Sequence, residues 1–239
     1  MALPASLRKV AVQQQLDSSA LVVTTTPGVL LKRHGVDVSN YTGPLSDETL
    51  AAWRDEHDIG LVIVQAIDPP LGYPVTQTRQ QVEACWDAEI ACDVYLYLWT
   101  LSNVEENMRE KLALLNGIEH KVRKVWLDCE DTTSATYDQR MSAIRRALAV
   151  VDGWCMAHDK PLPGIYTGAW WWVGYVHDTD EFSELPLWDA TYDGIDDASV
   201  FVPYGGWTEC RIKQYVGSSE LAGQGEIDLN VLSEAERRG

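Results

Sequence analysis

The sequence predicts a mixed α/β chain folded as a single irregular TIM-like β/α barrel, about five β/α units followed by β-strands, behind an N-terminal extension. Three observations predict it. Short apolar strands alternate with amphipathic helical stripes from His34 to about residue 160, and such alternation means a parallel sheet with helices outside it. Acids recur at or just after the strand ends, at Asp37, Asp68, Asp128 with Glu130, and Asp189, and barrels place their chemistry at that C-terminal rim. With 239 residues, 46% of them hydrophobic and 23% charged, the chain suits one large barrel and is too apolar for disorder.

Residues 1–33 form the extension and residues 34–239 the barrel. The extension is Gln-, Ser- and Thr-rich, reads as a helix near residues 6–16 followed by an extended stretch, and carries few of the apolar positions a core needs. The strand candidates follow in order: GVDV (35–38), LVIVQA (61–66), VYLYLW (94–99), KVWLD (124–128), GIYTG (164–168), PLWDA (186–190) and RIKQYV (211–216). Ser46 caps a helix that begins with Asp47 and Glu48, acids suited to a helix N-terminus. Val82, Cys85, Trp86 and Ile90 make a helical stripe, as do Val104, Met108, Leu112 and Leu115. The longest runs through Tyr137, Met141, Ile144, Leu148 and Val151. Past residue 160 no convincing helix is expected, only strands joined by Gly- and Asp-rich loops.

A net charge of −17 excludes nucleic acid as a partner, because phosphate binding needs clusters of Lys and Arg. No apolar run approaches membrane-spanning length, so no membrane is expected to be crossed. The chain has 10 Trp and 10 Tyr but only 2 Phe; a flat apolar face with a polar handle suits stacking on sugar rings, although barrels also bury Trp in their cores. The five cysteines show neither zinc-ligand spacing nor a disulfide framework and read as small buried apolar residues. No His accompanies the strand-end acids, so no metal and no cofactor is expected. No apolar signal-peptide core opens the chain.

The stretch VWLDCEDT (125–132) concentrates the chemistry. Side chains at i and i+2 of a strand share a face, roughly 7 Å apart at Cα, so Asp128 and Glu130 point one way and Cys129 the other. Two such carboxylates resist joint ionisation, which raises one pKa and lowers the other, and this is how a site obtains an acid and a carboxylate at the same pH. The structural alternative is a loop start, with Thr132, Thr133 and Ser134 leading to the cap of the next helix.

Five motifs in order resemble those of the family 25 glycoside hydrolases, lysozymes that cut bacterial peptidoglycan: GVDVSNYTG, VWLDCED, GIYTGAWWW, PLWDATY and IKQYVGSSELAGQGEIDLN. The likeness spans residues 34–232. It implies an N-acetylmuramidase that cleaves the β-1,4 bond between N-acetylmuramic acid and N-acetylglucosamine, with Asp37, Asp128, Glu130 and Asp228 at the catalytic positions. Glu130 is the expected general acid, kept protonated by its acidic neighbours. The resemblance implies that Asp128 orients a substrate N-acetyl group and that Asp37 and Asp228 supply negative field. Tyr97, Trp99, Tyr166, Trp188, Asp189, Gln214 and Tyr215 are the substrate-binding candidates, and of Trp170–Trp172 one is expected to pack inward and one to line the cleft. In VQAIDPP, Gln65 and Asp68 stand where the family carries a lysine and a glutamate. The alternative reading is therefore a catalytically silent barrel serving as a structural or glycan-binding virion component. The expected setting is phage lysis, with holin-type or virion-mediated delivery. The expected partners are peptidoglycan glycan strands and, through Leu21, Val22, Val23, Val29 and Leu30, a virion protein or a second copy.

Overall fold

Eight strands close into one barrel in sequence order: β1 (His34–Val38), β2 (Ile59–Gln65), β3 (Ala91–Tyr97), β4 (Val125–Asp128), β5 (Gly164–Thr167), β6 (Leu187–Ala190), β7 (Ile212–Leu221) and β8 (Gln224–Leu232). The structure, a computed structural model, describes residues 31–67 and 76–238; Asp68 and the expected docking residues Leu21 to Leu30 lie outside them. Strands β1 to β7 run parallel, and β8 closes the barrel antiparallel to both β7 and β1. Helices follow each of the first five strands: α1 (Asp47–Asp55), α2 (Thr76–Asp87), α3 (Val104–Ala113), α4 (Tyr137–Ala157) and α5 (Ala169–Val176). A short α6 (Glu234–Arg238) ends the described chain. Mixed α/β barrel architecture, five β/α units and then strands, is what the sequence predicts.

Two details differ from expectation. AWWWVGYV is helical although it lies past residue 160: Trp and Tyr favour strands by propensity, but α5 packs on α4 and buries Trp171 and Trp172 while Trp170 stays 55% exposed. The closing segment is a full strand, joined to β7 by a turn at Ala222–Gly223 with φ of 53° and 76°. Thr132 to Ser134 lead to the α4 cap, Thr136, which forms a capping box with Gln139. Ser46 caps α1 as expected, accepting from the Thr49 N–H.

Strand alternation sorts the core into two clusters. Val36, Val62, Val64, Val94, Val125, Leu127 and Ile165 face outward against the helices. Leu61, Ile63, Tyr95, Trp126, Tyr166, Trp188, Ile212 and Leu232 fill the barrel itself. Gly164 is dictated by this filling, since a Cβ there would sit 2.2 Å from the Trp126 ring. All five cysteines are buried and free.

The N-terminal end of the barrel is sealed by charge pairs. Arg123 clasps Asp93 with bonds of 2.9 and 2.7 Å, Trp126 Nε1 donates to the same carboxylate at 2.8 Å, and α6 brings Glu236 to Arg123 at 2.7 Å and to Lys124 at 2.8 Å. Leu31 to Arg33, counted with the extension, join this end. Leu31 is buried in the inner cluster and its carbonyl accepts from Arg237, while Lys32 donates to the Arg54 carbonyl.

Candidate active site

The inward faces of β1, β4, β5, β7 and β8 deliver polar side chains to the mouth of the barrel. Asp37 lies on β1, directly opposite Asp228 in the β1–β8 register; Asp128 ends β4 and Glu130 follows it. Gln214 of β7 joins the first two, its Nε2 donating to Asp37 Oδ2 at 2.7 Å and to Asp228 Oδ2 at 3.0 Å. Its Oε1 accepts from the hydroxyls of Tyr166 at 2.7 Å and Tyr192 at 2.8 Å. Asn230 repeats the pattern: Nδ2 donates to Asp37 Oδ2 at 2.7 Å, and Oδ1 accepts from Trp188 Nε1 at 2.8 Å. Two neutral carboxamides thus relay hydrogen bonds from aromatic donors to the acids, and the carboxylates' need for donors fixes which way each amide points.

Beneath the acids lies an aromatic floor. Trp188 packs against Tyr166 at 4.4 Å, Trp126 at 5.9 Å and Tyr95 at 6.0 Å between ring centroids. This apolar support makes ionisation costly. Burial, then the charge of Asp228, raises the Asp37 pKa well above the ordinary value. Burial and Glu130 do the same to Asp128, with the buried Lys111 pulling the other way. Glu130, half-buried, is raised by burial and by Asp228. Asp228 is raised by burial against the Ser218 N–H, which donates to it at 2.6 Å. Asp128 is 3% exposed, and its Oδ1 is buried with no hydrogen-bond partner among the described residues.

The structure brings Asp37, Asp128, Glu130, Asp228, Tyr166 and Gln214 into one mouth. Tyr97 and Trp99 sit at its edge, partly exposed, with ring centroids 4.6 Å apart. Three other expected glycan contacts stand elsewhere. Trp188 is 1% exposed and belongs to the floor. Asp189, the next residue, faces outward, where it accepts from Tyr204 at 2.9 Å and Thr191 at 2.8 Å. Tyr215 faces outward beside Gln214 and packs on the outer core. Strand alternation is the reason in both cases: neighbours of an inward residue point away from the mouth. The same rule could have found what sequence reasoning missed. Tyr95 is two residues before Tyr97, Asn230 is two after Asp228, and Tyr192 is two after the inward Ala190. Gln65 accepts from the Asn40 N–H at 2.9 Å and so ties down the loop after β1.

Acids gathered over an aromatic floor at the C-terminal mouth of a closed β/α barrel define a glycoside hydrolase barrel. The chain belongs to the glycosyl hydrolases family 25, whose sequence profile matches residues 36–224. It is 29% identical over 201 residues to a probable GH family 25 lysozyme 5 of Dictyostelium discoideum, covering 82% of this chain and 88% of that protein. Among solved structures it is similar to a family GH25 lysozyme from Aspergillus fumigatus, with a TM-score of 0.66 and 18% identity over 87% of this chain and 98% of the other. A muramidase from Acremonium alcalophilum gives the same TM-score and identity over 87% and 97%. At that identity these two likenesses speak for the fold.

Proposed function

We propose that this protein is a peptidoglycan hydrolase, an N-acetylmuramidase that cleaves the β-1,4 bond between N-acetylmuramic acid and N-acetylglucosamine. The observation that carries the proposal is the convergence of Asp37, Asp128, Glu130 and Asp228 in one mouth, with Glu130 a half-buried acid whose proton is held by burial. Glycoside cleavage needs an acid for the leaving oxygen and a second group to meet the oxocarbenium charge. Glu130 supplies the first. Asp128, which ends β4 two residues before Glu130, orients the N–H of a substrate acetamido group, whose carbonyl oxygen then attacks the anomeric carbon. Asp37 and Asp228 add negative field beneath the developing cation. Glu130, ionised by the first step, then takes a proton from the water that completes hydrolysis.

Digestion of purified peptidoglycan, followed by mass spectrometry of the reduced products, tests this. The expected products carry N-acetylmuramic acid at the reducing end and are missing when Glu130→Gln is used. N-acetylglucosamine reducing ends would overturn the bond assignment. Intact peptidoglycan would favour the silent barrel instead. Phage or virion delivery, and docking through residues 1–33, remain proposals read from the sequence; co-sedimentation of the protein with phage particles is their test.

A further inference from the structure

Glu130 lies between two residues whose backbone carbonyls are pinned. The Cys129 N–H donates to the Tyr166 carbonyl at 2.9 Å, and its own carbonyl accepts from Thr167 Oγ1 at 2.8 Å. The Asp131 carbonyl accepts from Trp171 Nε1 at 3.0 Å and from the guanidinium of Arg140, which also bonds the Thr133 carbonyl. Arg140 is itself buried, packed 4.5 Å from the Tyr175 ring centroid and 5.6 Å from that of Trp171.

The Asp131 side chain reaches across to a second loop. Its Oδ2 accepts from the Thr100 N–H and from Thr133 Oγ1, both at 2.8 Å, and its Oδ1 from the Thr133 N–H at 3.0 Å. Thr100 follows Trp99, whose ring packs on Tyr97 at the mouth. We propose that Asp131 is a positioning residue: its carboxylate ties the loop after β3, which carries Trp99 packed on Tyr97 at the strand end, to the loop after β4, which carries Glu130. The β3–β4 ladder holds Tyr97 beside Asp128, with the Leu98 N–H donating to the Asp128 carbonyl at 2.9 Å, and beyond the ladder the Asp131 side chain sets how far Trp99 stands from the Glu130 carboxyl. This rests on reading Glu130 as the acid.

The residue type fits the task. Three donors converge on it, and only an acceptor-only carboxylate satisfies them all; an amide would turn an N–H toward a donor. Burial raises its pKa, but the N–H groups and hydroxyls of Thr133 and Thr100 together outweigh burial and hold it below the ordinary carboxylate range. It therefore stays ionised and bonded where its neighbour Glu130 stays protonated. Misplacing a reacting group by about 1 Å costs on the order of 10²-fold in rate, so loosening this tie should be felt in turnover.

The test is Asp131→Asn in the full chain, read two ways. Turnover on soluble peptidoglycan fragments should fall about 10- to 100-fold. The Glu130 carboxyl, followed by ¹³C NMR against pH, should titrate lower, both because a neighbouring negative charge is gone and because its loop opens to water; the charge-preserving Thr133→Val reads the second effect alone. The groups facing it are Asp128 on β4, Asp37 on β1, Asp228 on β8, Tyr95 and Tyr97 on β3, Tyr166 on β5 and Tyr192 after β6, all unchanged in this variant. Thr133→Val, which removes one donor and keeps the backbone bonds, should move both readings in the same direction by less, about two- to fivefold in turnover; it also serves if Asp131→Asn does not fold. An unshifted Glu130 titration with parental turnover per folded molecule would overturn the proposal and leave Asp131 a merely structural residue. A parent that cleaves nothing sinks the enzymatic reading, and the Glu130 titration then still decides whether Asp131 holds that loop.

Discussion

The two ends of the barrel treat buried carboxylates in opposite ways. At the N-terminal end Asp93 and Glu236 meet Arg123 and Lys124, and these cations overcome burial to hold Glu236 below its ordinary pKa. At the C-terminal mouth the Gln214 amide donates to both Asp37 and Asp228 and the Asn230 amide to Asp37; neither amide carries net charge, and burial raises both acids, with the charge of Asp228 adding to Asp37 and that of Glu226 to Asp228. One end uses acids to close the fold. The other keeps them under strain, the condition that stores a proton on Glu130.

Replacing acids by their amides separates the two ends. Glu130→Gln has the largest expected effect: hydrolysis falls about 10²–10⁴-fold or more, with the thermal transition nearly unmoved, as measured by product release beside calorimetry. Glu236→Gln should act on stability alone. It leaves Lys124 buried without its partner while Arg123 keeps Asp93, which costs about 3 kcal/mol, the low end for breaking a buried pair; activity per folded molecule stays parental.

Asp37→Asn should do the reverse. The folded pKa of Asp37 is raised, so its ionisation opposes folding: the parent gains stability as pH falls through the folded pKa and loses it as pH rises. Glu236, whose folded pKa is depressed, contributes stability above its unfolded pKa that disappears as pH falls through the folded one. Asp37→Asn is therefore expected to raise the melting temperature at neutral pH, by about 2–4 °C for each kcal/mol relieved, and to flatten the acid-side gain. Melting curves across pH 4–8, set beside those of Glu236→Gln, check the opposite signs. The smallest effect is expected for Tyr192→Phe, which removes one of two donors to Gln214 and should lower kcat/KM by roughly fivefold, about the worth of one hydrogen bond. An unchanged rate would show that Tyr166 alone orients the amide.

Much of this was legible in the chain. Alternating strands and stripes, and acids at the strand ends, are local patterns, because a strand repeats every two residues and a helix every 3.6. They settle the barrel, its rim and the inward pair of Asp128 and Glu130 without any long-range information. Ser46 and the stripe from Met141 to Val151 belong to the same class of signal. What the sequence left open depends on partners distant along the chain. Asp189 and Trp188 are adjacent in PLWDA, and only closure of the barrel shows that the tryptophan is its floor and the acid an outward ligand of Tyr204. AWWWVGYV becomes a helix because α4 offers it a surface to bury against. Asp37 and Asp228 lie at opposite ends of the sequence and meet only because β8 returns antiparallel beside β1. The sequence by itself determined which residues could be acids at a rim. The tertiary structure decided which of them share a dielectric and a hydrogen-bond donor, because burial and charge coupling depend on distance through space.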